Sequence, residues 1–237
     1  MAKKPVLRHE WIEVLYSESH WSLLHSLRCE TAQLMEPLQR ANLSCIVHGS
    51  IARGDVSPTS DIDVFIPNPP MSAIVELVLE RAGLNISRRW IVQATPSYVV
   101  KAYIEVGDTR SISFPLIKLR RVERDFYKFG GELTLQDLRF EKRVPGVDKR
   151  LMLVEPTRRG HVESSIIGHE EVVASILGIG VDVIRDRVRA LMRRDAVGRT
   201  GVFVSRELTT TEGFEAVFRR MANSNPAMRR RLRTIDG

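Results

Sequence analysis

The chain has 237 residues, 43% of them hydrophobic, with 36 Lys and Arg against 29 Asp and Glu for a formal charge of +7. This length holds one large domain or two modest ones, and no apolar run approaches the roughly 20 residues that cross a bilayer. The basic balance favours polyanionic partners through counterion release, while Cys29 and Cys45 lack metal-ligand spacing and the polar start Met1-Ala2-Lys3-Lys4 lacks a signal-peptide core, so reduced thiols and a cytoplasmic location are expected.

In chain order, Trp21, Leu24, Leu27, Leu34 and Leu38 recur at helical spacing and predict a helix over 19–40, kinked or ended by Pro37. Residues 45–48 form a short apolar strand that runs into Gly49-Ser50. A turn-rich loop over 54–60 precedes a second strand, 61–66, which Pro67, Pro69 and Pro70 close. An amphipathic helix follows over 71–82, with Gly83 as its C′ glycine. Strands are expected over 88–94, 99–106 and 111–117, the last two joined by a hairpin turn at Gly107-Asp108. The stretch 119–159 offers only a short element over 132–138 and a turn at 144–147, and is read as the end of a first domain plus a connection.

From His161 onward the pattern changes to helix, turn and helix. Val172, Val173, Ile176 and Leu177 line a helix over 169–177, Gly178-Ile179-Gly180 makes the turn, and Ile184, Val188 and Leu191 line a second helix over 181–194. Arg185, Arg189 and Arg193 lie off its apolar stripe, as on a helix that enters a major groove. Residues 198–208 alternate as the wing of a winged helix, with Arg199 and Arg206 outward, and 212–220 and 226–233 form a basic helical tail. The expected fold class is α+β: a mixed-sheet domain over 1–159, then a mainly α winged helix-turn-helix domain over 160–237 that binds DNA or RNA.

The chemistry concentrates in Gly49-Ser50, ten further residues, then Asp61-Ile62-Asp63. A strand that ends in Gly-Ser lets backbone N–H groups approach a triphosphate, because glycine removes the obstructing Cβ and serine adds a donor. Asp61 and Asp63, one residue apart on a strand, face the same way, with Cα atoms roughly 7 Å apart. Two such carboxylates can share divalent cations that bridge phosphates and an attacking hydroxyl.

With Arg53-Gly54 inside the gap, the run His48-Gly49-Ser50-Ile51-Ala52-Arg53-Gly54 followed by Ser60-Asp61-Ile62-Asp63-Val64-Phe65 resembles the signature of the DNA polymerase β nucleotidyltransferase superfamily. The resemblance implies an NTP donor held by Gly49 and Ser50, Mg²⁺ or Mn²⁺ bound by Asp61 and Asp63, and Arg53 near the phosphates or bracing the loop. Active members add a third carboxylate from a later strand, expected here over 111–116, where the polar face carries Ser111 and Ser113 instead. Glu105, on the preceding strand, is the nearest acid that could take the catalytic place, followed by Asp108 in the turn. Lys101, Arg88 and Arg89 are further cations able to neutralise phosphate or to pair on the surface. The layout also resembles archaeal nucleotidyltransferases with a C-terminal winged helix. Two functions are therefore expected: NMP transfer from an NTP to an acceptor such as nucleic acid, or a catalytically weak or inactive DNA-binding regulator.

Overall fold

In a computed structural model, which describes residues 4–6, 11–198 and 201–233, the helical spacing near the N-terminus forms α1 (Glu18–Arg40), with Pro37 inside its last turn. The chain divides into two compact units, each assembled from three separate stretches. One contains Met1–Ala32, Val47–Ser60 and Arg124–Thr200; the other contains Gln33–Ile46, Asp61–Glu123 and Gly201–Gly237. No helix among the described residues is long and apolar enough to cross a membrane.

The second unit is built on a mixed sheet. Its strands β3 (Ile62–Phe65), β4 (Ile86–Gln93), β5 (Lys101–Val106), β6 (Arg110–Pro115) and β11 (Val204–Glu207) lie in the order β11-β4-β5-β6-β3. β3 and β6 are parallel, and the other neighbours are antiparallel. Alternation sends Ile62, Val64, Ile91, Ala102, Ile104, Ile112 and Phe114 into the core. Two helices supply the opposing apolar surface: α3 (Ser72–Arg81) through Val75 and Leu79, and α8 (Phe214–Ser224) through Phe214, Val217 and Phe218. Phe214 meets Phe114 edge-on at 5.7 Å between ring centroids. Burial of each large apolar side chain in this layer contributes roughly 1.5–3 kcal/mol. Glu215 on α8 also accepts hydrogen bonds from the Ser72 backbone N–H at 2.8 Å and its hydroxyl at 2.7 Å, which caps the start of α3. A final helix, α9 (Pro226–Arg233), follows α8.

The first unit has its own antiparallel sheet, β1 (Ile12–Leu15), β10 (Gly160–Ser165), β9 (Met152–Thr157) and β8 (Gly146–Val147), in that order. Gly160 is required by close approach, since a Cβ there would lie 1.9 Å from the Val14 carbonyl oxygen. This unit also contains the one-turn helix α2 (Ser50–Arg53) after β2 (Ile46–His48), most of α4 (Arg121–Gly130), then β7 (Glu132–Thr134) and α5 (Leu135–Arg139). Thr134 and Asp137 form a reciprocal capping box on α5. Helices α6 (Glu170–Leu177) and α7 (Val181–Val197) follow, joined by a turn in which Gly178 adopts φ 61°.

Three expectations change. The stretch read as a connection holds α4, α5 and strands β7 to β9, and residues 161–165 are strand β10 rather than the approach to a helix. Their alternation is masked because His161, Glu163, Ser164 and Ser165 are all buried. The stretch read as a wing instead sends β11 antiparallel onto β4, with Val204 opposite Gln93 and Glu207 opposite Trp90; an alternating strand takes whichever free sheet edge it reaches. The compact units accordingly do not follow a 1–159 and 160–237 division, because 160–200 lies in one unit and 201–237 in the other.

Candidate nucleotidyltransfer site

Gly49 caps α2 with φ 85° and ψ −143°, a backbone region that suits only glycine. A Cβ on it would meet nothing within 4 Å among the described residues, so torsion rather than crowding by them demands glycine. Its N–H donates to Gly131 O at 2.9 Å, and its carbonyl accepts from Ala52 N–H and Arg53 N–H, both at 3.1 Å. The Ser50 hydroxyl donates to Ser60 Oγ at 3.3 Å, which links the start of the loop to the residue before Asp61.

A single turn of helix has too few internal bonds to hold itself, and α2 is fixed from outside. Arg28 of α1 donates to Ile51 O at 2.9 Å and Ala52 O at 3.3 Å, and burial pushes its pKa down to about 10. His20 Nε2–H donates to Gly54 O at 2.8 Å. Arg53 turns inward: it donates to Gly130 O at 2.6 Å and pairs with Asp55 Oδ2 at 2.8 Å, with its side chain 6% exposed. Of the two roles open to Arg53, this geometry is that of a brace. Sequence reading missed Gly130 and Gly131, whose carbonyls hold Arg53 and Gly49; the paired glycines were the available signal.

Behind the loop, the Tyr16 hydroxyl meets His161 Nδ1 at 2.7 Å, and His161 Nε2 lies 3.6 Å from Glu163 Oε2. Burial lowers the pKa of His161, although the Asp55 and Glu163 charges oppose the shift. Burial likewise raises that of Tyr16.

In the second unit, Asp61 stands just before β3 and is exposed, while Asp63 is half-buried within it. Strand register sets the remaining geometry. Asp63 pairs with Ser111, Ser111 with Glu105, and Glu105 with Arg88, so the four side chains form one row on one face of the sheet. Ser111 Oγ donates to Asp63 Oδ1 at 2.7 Å. Glu105 is two strands from Asp63, about 10 Å at the Cα. The position beside Asp63 thus belongs to a hydroxyl that orients the carboxylate, and the acid comes one strand later. Among the described residues, no group of three or more His, Cys, Asp or Glu is spaced to hold a metal ion. The hard carboxylate oxygens of Asp61 and Asp63 suit Mg²⁺ or Mn²⁺, with substrate phosphates to complete the shell.

The other expected residues fall as follows. On α7, Arg185, Arg189 and Arg193 are exposed; Arg185 pairs with Glu171 of α6, and Arg189 with Asp186 at 3.7 Å. Arg187 turns back over the Phe126 ring of α4 at 4.8 Å. Arg199 lies outside the described residues. On β4, Arg89 is engaged by Glu76 at 3.0 Å and by Thr209 O, whereas Arg88 is exposed on the carboxylate face. Contrary to the expected apolar stripe, Val172 and Ile176 of α6 are exposed, and Val173 and Ala174 are buried.

No curated protein and no solved structure matches the chain. Residues 29–122, which include Gly49, Ser50, Asp61, Asp63, Glu105 and Ser111, match the family model of the nucleotidyltransferase domain.

Proposed function

We propose that the protein is a Mg²⁺-dependent nucleotidyltransferase that moves a nucleoside monophosphate from an NTP onto a nucleic-acid hydroxyl. The observation that carries this reading is the row Asp63–Ser111–Glu105 on the sheet face that follows the Gly49-Ser50 loop in sequence. Ser50 holds the triphosphate through its backbone N–H and hydroxyl, and Gly49, whose own N–H is bonded to Gly131 O, leaves room for the phosphates to approach by lacking a Cβ. Asp61 and Asp63 hold the divalent cation, which when bound neutralises charge on the phosphates. Ser111 fixes the rotamer of Asp63. The acceptor oxygen attacks the α-phosphorus and forms the new P–O bond. The bond to the β-phosphate oxygen breaks, pyrophosphate leaves with that electron pair, and the hydroxyl proton passes to Glu105 as general base. Arg185, Arg189 and Arg193 on α7, with Arg199 beyond it, contact the nucleic-acid backbone.

The test is transfer of label from each α-³²P NTP to RNA, DNA and protein, with wild type beside Asp61→Ala/Asp63→Ala. Label on nucleic acid that vanishes in the double variant supports the reading. A second reading, a nucleic-acid-binding regulator without turnover, draws on the hydroxyl of Ser111 at the place beside Asp63. It gains if no donor gives label while nucleic-acid binding is intact.

A further inference from the structure

The carboxylate row has a neighbour on the same sheet face. Register places Trp90 opposite Tyr103, Tyr103 opposite Ser113, and Ser113 opposite Phe65, one step along each strand from Arg88, Glu105, Ser111 and Asp63. The face thus bears a charged row beside an aromatic one. Phe65 and Ser113 are buried, so the accessible part of the aromatic row is Tyr103 and Trp90, both half-buried, and Arg88 at the far end of the charged row is exposed. The Lys101 ammonium lies 5.0 Å from the Tyr103 ring centroid. Trp90 Nε1 is a buried donor with no hydrogen-bond partner among the described residues, a group that folded proteins seldom leave unused.

On the reading given under Proposed function, we infer that the acceptor is the unpaired end of a single-stranded nucleic acid. It runs across β6, β5 and β4, with its terminal hydroxyl between Asp63 and Glu105, its last bases against Tyr103 and Trp90, and a phosphate at Arg88. Two aromatic rings on adjacent strands form a stacking platform that any base can use, and only unpaired bases can turn a face onto it. Arg88 stands three strand spacings from Asp63, roughly 14 Å, so its charge meets phosphates away from the reacting end. Arg89, the next residue, is committed to Glu76 and Thr209 on the other face, which leaves Arg88 as the arginine of this strand for the track. A protein hydroxyl as acceptor would gain little from a cation and two stacking rings in that order.

The test uses the full chain and a short single-stranded oligoribonucleotide, with a blunt duplex of the same sequence as comparator. The single strand is expected to quench tryptophan fluorescence, the duplex to do so at least tenfold more weakly, and Trp90→Phe to remove most of the quench. Exposed Arg88→Ala, checked by thermal melt for an intact fold, is expected to weaken single-strand binding about tenfold and to lower the salt slope by about one. In transfer assays it raises the acceptor KM and leaves the NTP KM unchanged. Equal binding of duplex and single strand, a full quench in Trp90→Phe, an unaffected Arg88→Ala, or label on protein hydroxyls instead of the oligonucleotide overturns the inference. Binding as expected but no transfer from any NTP supports the track and removes the transferase reading alone.

Discussion

Replacing Arg53 by Met tests whether the loop is braced from beneath. The guanidinium and the Asp55 carboxylate it pairs with are 6% and 16% exposed, and the same guanidinium holds Gly130 O at 2.6 Å. Arg53→Met strands a buried carboxylate and a buried carbonyl, and removal of one partner of such a pair costs about 3–5 kcal/mol. For a chain of this size that lowers Tm by roughly 10 °C. Asp55→Asn leaves the bond to Gly130 in place and costs less, about 1–3 kcal/mol. The double variant lacks both charges, so its loss falls short of the sum of the singles by at least about 1 kcal/mol. Urea unfolding of wild type, both singles and the double, with matched slopes, measures all three quantities. If Arg53→Met costs under about 1 kcal/mol, or the singles add, the brace is wrong; were nucleotide affinity lost with stability intact, Arg53 would be a phosphate ligand after all.

Further outcomes follow from the same geometry. His161 has its pKa lowered by burial, so below the unfolded value of 6.5 the unfolded chain takes up the proton first and stability falls with pH; His161→Gln should flatten urea midpoints between about pH 6.5 and 5, and an unchanged slope there rules this out. The thiol of Cys45 is buried and pushed up to about 12, whereas Cys29 is exposed, so a thiol reagent at pH 8 should titrate Cys29 at once and Cys45 only on unfolding. Gly160→Ala should push β1 off its partner at a cost of about 1–3 kcal/mol, visible as fast hydrogen exchange at Ile12–Leu15. Ser111→Asp puts a second negative charge beside Asp63 in place of a hydrogen bond, so Tm should drop without metal and recover in millimolar Mg²⁺ by more than wild type gains; equal metal responses would mean that Asp63 does not bind the cation.

The elements legible in the sequence were those with a simple period. α1, α3 and α7, and the alternating strands β4 to β6, fall within a few residues of their expected bounds because one face is apolar and the other is not, whereas α6 keeps its bounds but not its expected stripe. The Gly-Ser turn was readable because the torsion at Gly49 follows from residue type alone, whereas Asp61, expected inside the strand, stands just before β3. What was hidden depends on partners distant in sequence. β10 buries His161 and Glu163, whose polarity disguises a strand, and β11 has no local feature to say that its edge is β4 rather than a second wing strand. The inward turn of Arg53 was hidden for the same reason, since its acceptor at Gly130 is 77 residues away. Glu105 could be named from sequence, but its place two strands from Asp63, with Ser111 between, needed the register.

The late arrival of β11 and α8 has a consequence for biosynthesis. Phe214, Val217 and Phe218 cover the apolar side of strands made about a hundred residues earlier, and Phe214 packs on Phe114 itself. While translation runs from β6 to α8, the part of that side not covered by α3 is bare and β4 presents a free edge, the condition under which nascent chains pair with the wrong neighbour. A ribosome stalled before residue 201 would therefore hold an aggregation-prone intermediate. A gene fragment cut to residues 29–122 would lack β11 and α8, and is expected to expose the same apolar surface and the same β4 edge.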